Sequence, residues 1–372
     1  MVEKKEKVDS GRCLGVFRSH EGTVYSLDVF WKGGRPPMKR ERIRRSKTMR
    51  VEPGTDEDGL IALVTGSHDQ TILVWDVAPS TVNKKDLAVK VTQAKKLRGH
   101  TADVYAMEIV PEFSEYVPHS QNQIAQSKYD KRVVNLVSGG DYTVRTWNIG
   151  ESNTCLQTLQ GHLGYVACLK VKGKRAFSGS WDTTVRSWNL ETGKAMHVFK
   201  GHKNIINCID VTDTDIFSGS WDMSIIQWSR ATGEPVNVFQ GHTDGVQCLQ
   251  VHDENIITGS MDKTVRVWSI ATTKTVKVLR GHQGGVECLS AVNKLCFTGS
   301  YDKTIRCFNL ETGECLMVFE GHTDGVYCLK FFEGILYSGS GDRSIRLWDA
   351  RDLVEQASKP WWKRLLRCFG IK

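Results

Sequence analysis

The sequence predicts an all-β fold: a ring of seven four-stranded units, a seven-bladed β-propeller closed by the N-terminal strand. Three observations lead there. Gly161-His162, Gly201-His202, Gly241-His242, Gly281-His282 and Gly321-His322 recur every 40 residues, and Ser19-His20 and Gly99-His100 extend the series to seven. In the last five units an Asp lies 20 residues after the His (Asp182, Asp222, Asp262, Asp302, Asp342), and an aromatic stands six residues after the Asp in all seven: Trp75, Trp147, Trp188, Trp228, Trp268, Phe308 and Trp348. Finally, residues 13–20, CLGVFRSH, align with residues 315–322, CLMVFEGH, while the last unit stops at Trp348. The N-terminal segment therefore supplies the missing outer strand of the last unit, and no strand edge is left open.

Each unit holds short β-branched and apolar runs, such as Val265-Arg266-Val267-Trp268, separated by Gly, Asp, Thr and Ser. One unit reads as strands a, b, c and d from the centre outward, and it buries both faces only between neighbours. These markers, down to Trp75-Asp76 and Trp348-Asp349, resemble the WD40-repeat family over nearly all of residues 11–350. The resemblance implies that the loop His, a strand-b Ser or Thr, the turn Asp and the strand-c Trp form a hydrogen-bonded network, as in His162, Ser178, Asp182, Trp188 and in His242, Thr258, Asp262, Trp268. These His and Asp residues are then structural, not metal ligands or acid–base pairs. Two units depart from the pattern. Phe308 lacks an indole N–H, and Ser138-Gly139-Gly140 before Asp141 is one residue shorter than Ser178-Gly179-Ser180-Trp181, which puts the strand-b register of the second unit in question.

Composition narrows the function classes. The 372 residues are 40% hydrophobic and 25% charged, which suits a folded core. No apolar run approaches the roughly 18 residues of a membrane span. The charged start, residues 1–7, does not read as a secretory signal, so the 11 cysteines read as reduced thiols and the expected location is cytoplasmic and/or nuclear. Cys168, Cys208, Cys248, Cys288 and Cys328 follow the repeat, one per unit, and read as small buried strand-a residues instead of a clustered zinc site. No nucleophile elbow, P-loop or His-Glu-x-x-His occurs. No enzyme, cofactor, metal or small-molecule substrate is expected.

Irregular segments divide the chain into an extension (1–10), the propeller (11–350) and a basic amphipathic tail (351–372), with insertions at about 32–59, 78–94 and 111–132. Strand direction alternates, so the insertions and both termini share one face, and the His and Asp loops share the other. Seven of the eight prolines lie in the irregular segments; Pro235 alone begins an outer strand, where a missing N–H is tolerated. Residues 32–50 carry nine basic side chains, Lys39, Arg40, Arg42, Arg44, Arg45 and Lys47 among them, against Glu41, a balance of +8 equal to that of the whole chain. This run reads as a nuclear-import signal, a phosphate-binding patch or a solvated loop. In the tail, Trp361, Trp362, Leu365, Leu366 and Phe369 oppose Lys363, Arg364 and Arg367 at helical spacing, which suits packing on the propeller or peripheral contact with an anionic membrane, with Cys368 as an acylation candidate.

On the other face, the residue before the turn Asp is Trp181, Trp221, Met261 and Tyr301 in four successive units. The position five after the loop His gives Tyr25, Tyr105 and Tyr327, with Asn207, Gln247 and Glu287 between. The WD40 resemblance implies peptide binding at this rim, and large aromatics suit that role. The expected function is a non-catalytic scaffold or adaptor for peptide or protein partners. The alternative is RNA, DNA or anionic-membrane binding through the basic insertion and tail.

Overall fold

The computed structural model describes residues 12–18, 20–31, 61–82, 86–110, 135–149 and 153–358. They form seven four-stranded antiparallel sheets. The inner strands a, which number the blades 1 to 7, are Val24–Trp31, Ala106–Val110, Val166–Lys172, Ile206–Val211, Val246–His252, Val286–Val292 and Val326–Phe332. Closure is as the sequence predicts. Cys13–Arg18 pairs antiparallel with Ser344–Asp349 and becomes strand d of blade 7. Pro235 opens strand d of blade 4, at a sheet edge.

Packing between blades explains the composition of strand b. In blade 3 it is buried from Ala176 to Ser180, because both of its faces meet neighbouring sheets. A Cβ on Gly179 would fall 2.5 Å from Cys168 Sγ and 2.6 Å from Cγ2 of Ile206 in the next blade. The strand-a cysteine and the next blade's β-branched residue thus close over a bare backbone. Gly219, Gly259, Gly299 and Gly339 repeat the contact, and Cys168, Cys208, Cys248, Cys288 and Cys328 are all buried there. Outer strands are largely exposed instead: in strand d of blade 3, Phe199 is buried and the other five residues face solvent.

Seven backbone N–H groups of the inner strands are satisfied by the side chains that stand eight residues after five of the loop histidines. Asp28 accepts from Val29 and Ile109, Glu108 from Val171, and Asp210 from Val211 and Val251. Gln250 accepts from Ala291, and Ser290 from Phe331. Lys170 lies 3.8 Å from Glu108 and 3.9 Å from Asp210, and Lys330 lies 2.9 Å from Asp28. This polar belt stitches each blade to the next along the channel. Burial pushes the Glu108 carboxyl up to about 7 despite Lys170.

Blade 2 keeps its register. Ser138 occupies the place of Ser178, and the missing residue falls at the end of strand b. In the other six blades the a–b pairing carries a bulge between the residues four and six after the loop His, as at Val166/Cys168. In blade 2, Ala106 pairs directly with Gly139 and the ladder runs without a bulge. Parts of two other irregular segments lie among the described residues. Within the 78–94 insertion, strands c and d of blade 1 lengthen to Ile72–Val82 and Asp86–Leu97, paired out to Val82 and Asp86. Residues 351–358 form a helix whose Leu353, Val354 and Ala357 join the core between blades 6 and 7. The basic residues Lys39, Arg40, Arg42, Arg44, Arg45 and Lys47, and residues 359–372, lie outside the described residues.

Candidate functional site at the channel mouth

The loop that enters each blade is locked before it presents anything to solvent. In blade 3, His162 Nδ1 is 2.7 Å from Asp182, His162 Nε2 is 2.7 Å from Ser178 Oγ, and the Trp188 indole donates to the same hydroxyl at 2.8 Å. The carboxylate only accepts, so the neutral imidazole donates to it from Nδ1, which leaves Nε2 to accept from the Ser178 hydroxyl. The same relay joins His20, Thr65, Asp69 and Trp75 in blade 1, and His100, Ser138, Asp141 and Trp147 in blade 2. It recurs at His202, His242 and His322. In blade 6, His282 keeps Asp302 and Thr298 at 2.8 Å each, but Phe308 offers no donor.

Burial pushes the seven turn carboxyls up. Hydrogen bonds from the His, the following Ser or Thr and a backbone N–H outweigh that and hold them well below the usual carboxylate range. Burial lowers His162 and His322, which keeps those rings neutral. These groups are consumed by the fold. Among the described residues, no three His, Cys, Asp or Glu side chains form a metal-sized cluster.

The Asp also builds the b–c turn. Asp182 Oδ1 accepts from the backbone and hydroxyl of Thr184, and Thr183 between them takes φ 68°. This is a type I turn followed by a left-handed residue, which sets the preceding side chain, Trp181, outward. The strand-a bulge aims the second set. The extra residue falls five after the loop His, where Tyr25, Asn207, Gln247, Glu287 and Tyr327 stand, and a bulge re-aims such a side chain. In blades 4, 5 and 6, turn and bulge together place two large side chains at the channel mouth: Trp221 with Asn207, Met261 with Gln247, and Tyr301 with Glu287.

Five of the seven aromatic and Met candidates form one continuous arc. Tyr301 meets Tyr327 edge-on at 5.5 Å, Tyr327 meets Tyr25 at 5.5 Å, Tyr25 meets Tyr105 at 5.0 Å and Tyr105 meets Trp181 at 5.8 Å. Sequence reasoning missed Tyr165, 5.1 Å from Trp181, and Tyr142, 4.9 Å from Tyr165, which extend the arc. Tyr142 holds the left-handed turn position after its Asp, at φ 65°, a signal present in the repeat alignment. Trp221 and Met261 stand apart in blades 4 and 5. The Trp221 indole donates to Gln247 at 3.2 Å, and Gln247 also accepts from Asn207. Each of these outward side chains rests on a glycine of the next blade. A Cβ on Gly245, Gly285 or Gly325 would lie 2.6–3.1 Å from Trp221, Met261 or Tyr301.

Trp181, Trp221, Tyr301 and Tyr142 are 39–47% exposed, whereas the strand-c Trp228 is 0% exposed. Asp103 accepts from the Tyr105 hydroxyl at 3.0 Å and lies 2.7 Å from His68 Nδ1. Burial and the Asp103 charge raise the Tyr25 and Tyr105 phenols, and burial raises Tyr301 and Tyr327, so all four stay protonated at neutral pH and remain donors. The mouth therefore offers flat apolar rings, phenolic donors, amides and carboxylates. That mixture suits recognition of a polypeptide.

Comparison with known proteins agrees with this architecture. The family model described as "WD domain, G-beta repeat" matches residues 54–76, 153–189, 193–229, 233–269, 273–309 and 313–349, more than half of the chain. The chain is 31% identical over 140 residues to a cell division control protein 4 of Candida albicans, covering 37% of this chain and 18% of that protein. It is 30% identical over 140 residues to a guanine nucleotide-binding protein subunit beta of Oryza sativa subsp. indica, covering 37% of this chain and 30% of that protein. A mitochondrial division protein 1 of Candida glabrata is 26% identical over 163 residues, covering 44% of this chain and 21% of that protein. The matched stretch thus spans less than a third of each of these relatives.

Proposed function

The chain belongs to the WD40-repeat family, and we propose that it is a non-catalytic scaffold whose channel mouth on the His and Asp face captures a peptide or protein partner. The observation that carries this reading is the unbroken aromatic arc Tyr301–Tyr327–Tyr25–Tyr105–Trp181, partly solvent-exposed and held on locked loops. Preorganised aromatics lose little entropy on binding and make strong anchors. The word "subunit" in one relative's name is in keeping with work in assemblies. Replacing Trp181, Trp221 and Tyr301 together by Ala tests the reading. Cross-linking and affinity capture from cells, with unfolding midpoints as a control, is expected to lose specific partners while the propeller stays folded; undiminished capture sinks it.

A second reading rests on the charge run at 32–50, with nine basic residues against one acidic. It assigns RNA, DNA or an anionic membrane to the opposite face, and a nuclear or cytoplasmic location to the protein. Binding of RNA, DNA or anionic vesicles then weakens steeply between low and moderate salt, and is lost on deleting residues 35–50. A flat salt response rejects it.

A further inference from the structure

Among the carboxyls of the channel mouth, Glu287 meets no partner in the described residues. Asp103 has Tyr105 and His68, and Asp324 accepts from the backbone of Gly325. Glu287 Oε1 is fully buried and meets no hydrogen-bond or ion-pair partner among the described residues. It sits on the bulge of blade 6, between Gln247 of blade 5 and Tyr327 of blade 7, beside Tyr301 of its own blade. A buried carboxyl that the fold does not satisfy costs stability, and a protein retains one where an incoming group completes it.

We propose that Glu287, flanked by the rings of Tyr301 and Tyr327, is the seat for one basic side chain, lysine or arginine, of a partner polypeptide. The proposal rests on the channel-mouth reading and names the chemistry that reading selects. The carboxylate supplies the countercharge, the ring faces attract the cation's edge, and the aliphatic stem lies along the aromatic arc. The next acid along, Asp324, adds negative potential, and no lysine or arginine ion pair reaches Glu287 among the described residues to compete.

Burial alone pushes the free Glu287 carboxyl up to about 8. A cation that requires the ionised form must therefore displace its proton. The titratable groups that feel its charge are Cys248 and Cys288 from strands a of blades 5 and 6, and Tyr301 and Tyr327, the last two of which also feel Asp324. Burial raises both thiols well above their ordinary range, and burial likewise raises both phenols. Of these neighbouring groups, Glu287 is the one whose proton changes between pH 6.5 and 8.5.

The test uses the full chain with its tyrosine rings labelled for NMR, titrated with Nα-acetyl-arginine methylamide, Nα-acetyl-lysine methylamide and the neutral citrulline and norleucine counterparts. At least one cationic probe is expected to shift the Tyr301 and Tyr327 signals saturably, about tenfold or more tighter at pH 8.5 than at pH 6.5. The neutral probes are expected to leave them unmoved. Glu287→Gln removes the charge without adding bulk and is expected to weaken the cationic probe by about tenfold or more. Its unfolding midpoint confirms that it folds, and Glu287→Asp is expected to restore part of the binding. Equal shifts by citrulline, unchanged affinity in Glu287→Gln, or no saturable shift overturns the assignment. Partner capture that needs Trp181, Trp221 and Tyr301 but ignores Glu287→Gln also overturns it, and leaves the scaffold reading standing.

Discussion

Two sets of side chains five residues apart in every repeat behave in opposite ways. The loop histidines are the same in all seven blades, and each is tied by hydrogen bonds to an Asp and a hydroxyl. The position five residues later, bulged in every blade but the second, is Tyr25, Tyr105, Ala167, Asn207, Gln247, Glu287 and Tyr327. Its members reach the channel mouth, and Glu287 finds no partner there among the described residues. Repetition marks what the ring needs in order to close. Variation on the same rigid frame marks what one ring presents that another does not.

The comparison breaks first at tryptophan. Trp228 and Trp221 lie seven residues apart in one blade, one fully buried and bonded to Ser218, the other 44% exposed. Trp228→Ala is expected to cost about 3–5 kcal/mol through a cavity and the loss of the indole's hydrogen bond to Ser218. Trp221→Ala is expected to change stability by about 0.5 kcal/mol or less, as a surface substitution does. Chemical denaturation of the two variants side by side measures the gap. Equal losses contradict the division between frame and display.

Acid sharpens it next. The turn carboxyls are held down in the folded chain, so their stabilisation is complete above the ordinary Asp value of about 4 and is lost as pH falls through it. His162 and His322, lowered by burial, act in the same sense: their contribution is complete above about 6.5 and fades below it. Glu287 acts oppositely. Its folded carboxyl is raised to about 8, so its effect on stability worsens as pH climbs from about 4.5 to 8. Unfolding midpoints are expected to drop steeply below pH 4 in every variant. The advantage of Glu287→Gln over the parent chain is expected to grow between about pH 4.5 and 8 and then level off, and a pH-independent difference removes the carboxyl from that account.

The smallest effect concerns a polar atom inside the frame. The Tyr337 hydroxyl is buried in strand b of blade 7 with no partner among the described residues, where blades 3, 4 and 6 carry Phe177, Phe217 and Phe297. Tyr337→Phe is expected to raise stability by about 1 kcal/mol, readable as a higher denaturation midpoint. A loss of similar size would mean that the hydroxyl has a partner.

Much of this was legible in the residues. A 40-residue period needs no three-dimensional information, and the missing outer strand after Trp348 forces the N-terminal segment into place. The Phe308 defect and the burial of the strand-a cysteines also follow from type and spacing. Tyr25, Tyr105, Tyr327, Tyr301 and Trp181 were found as two separate periodic sets, without the contacts that join them. The helix at 351–358 escaped because its apolar face is short, and the polar belt because its members differ in type. Blade 2 looked uncertain because a deletion in sequence does not say which rung of the ladder disappears.

The sequence by itself therefore determined the number of blades, their boundaries and the locked loop network, since each is a matter of local spacing repeated seven times. Only the tertiary structure decided which rings touch across blades, which glycines carry them, and that Glu287 Oε1 is buried with no counterpart among the described residues. Those facts depend on where residues 40 or 300 positions apart come to rest, and on whether the space between them holds a partner. Neighbours in the ring are set by its closure, and no pattern along the chain encodes what a buried carboxyl fails to meet.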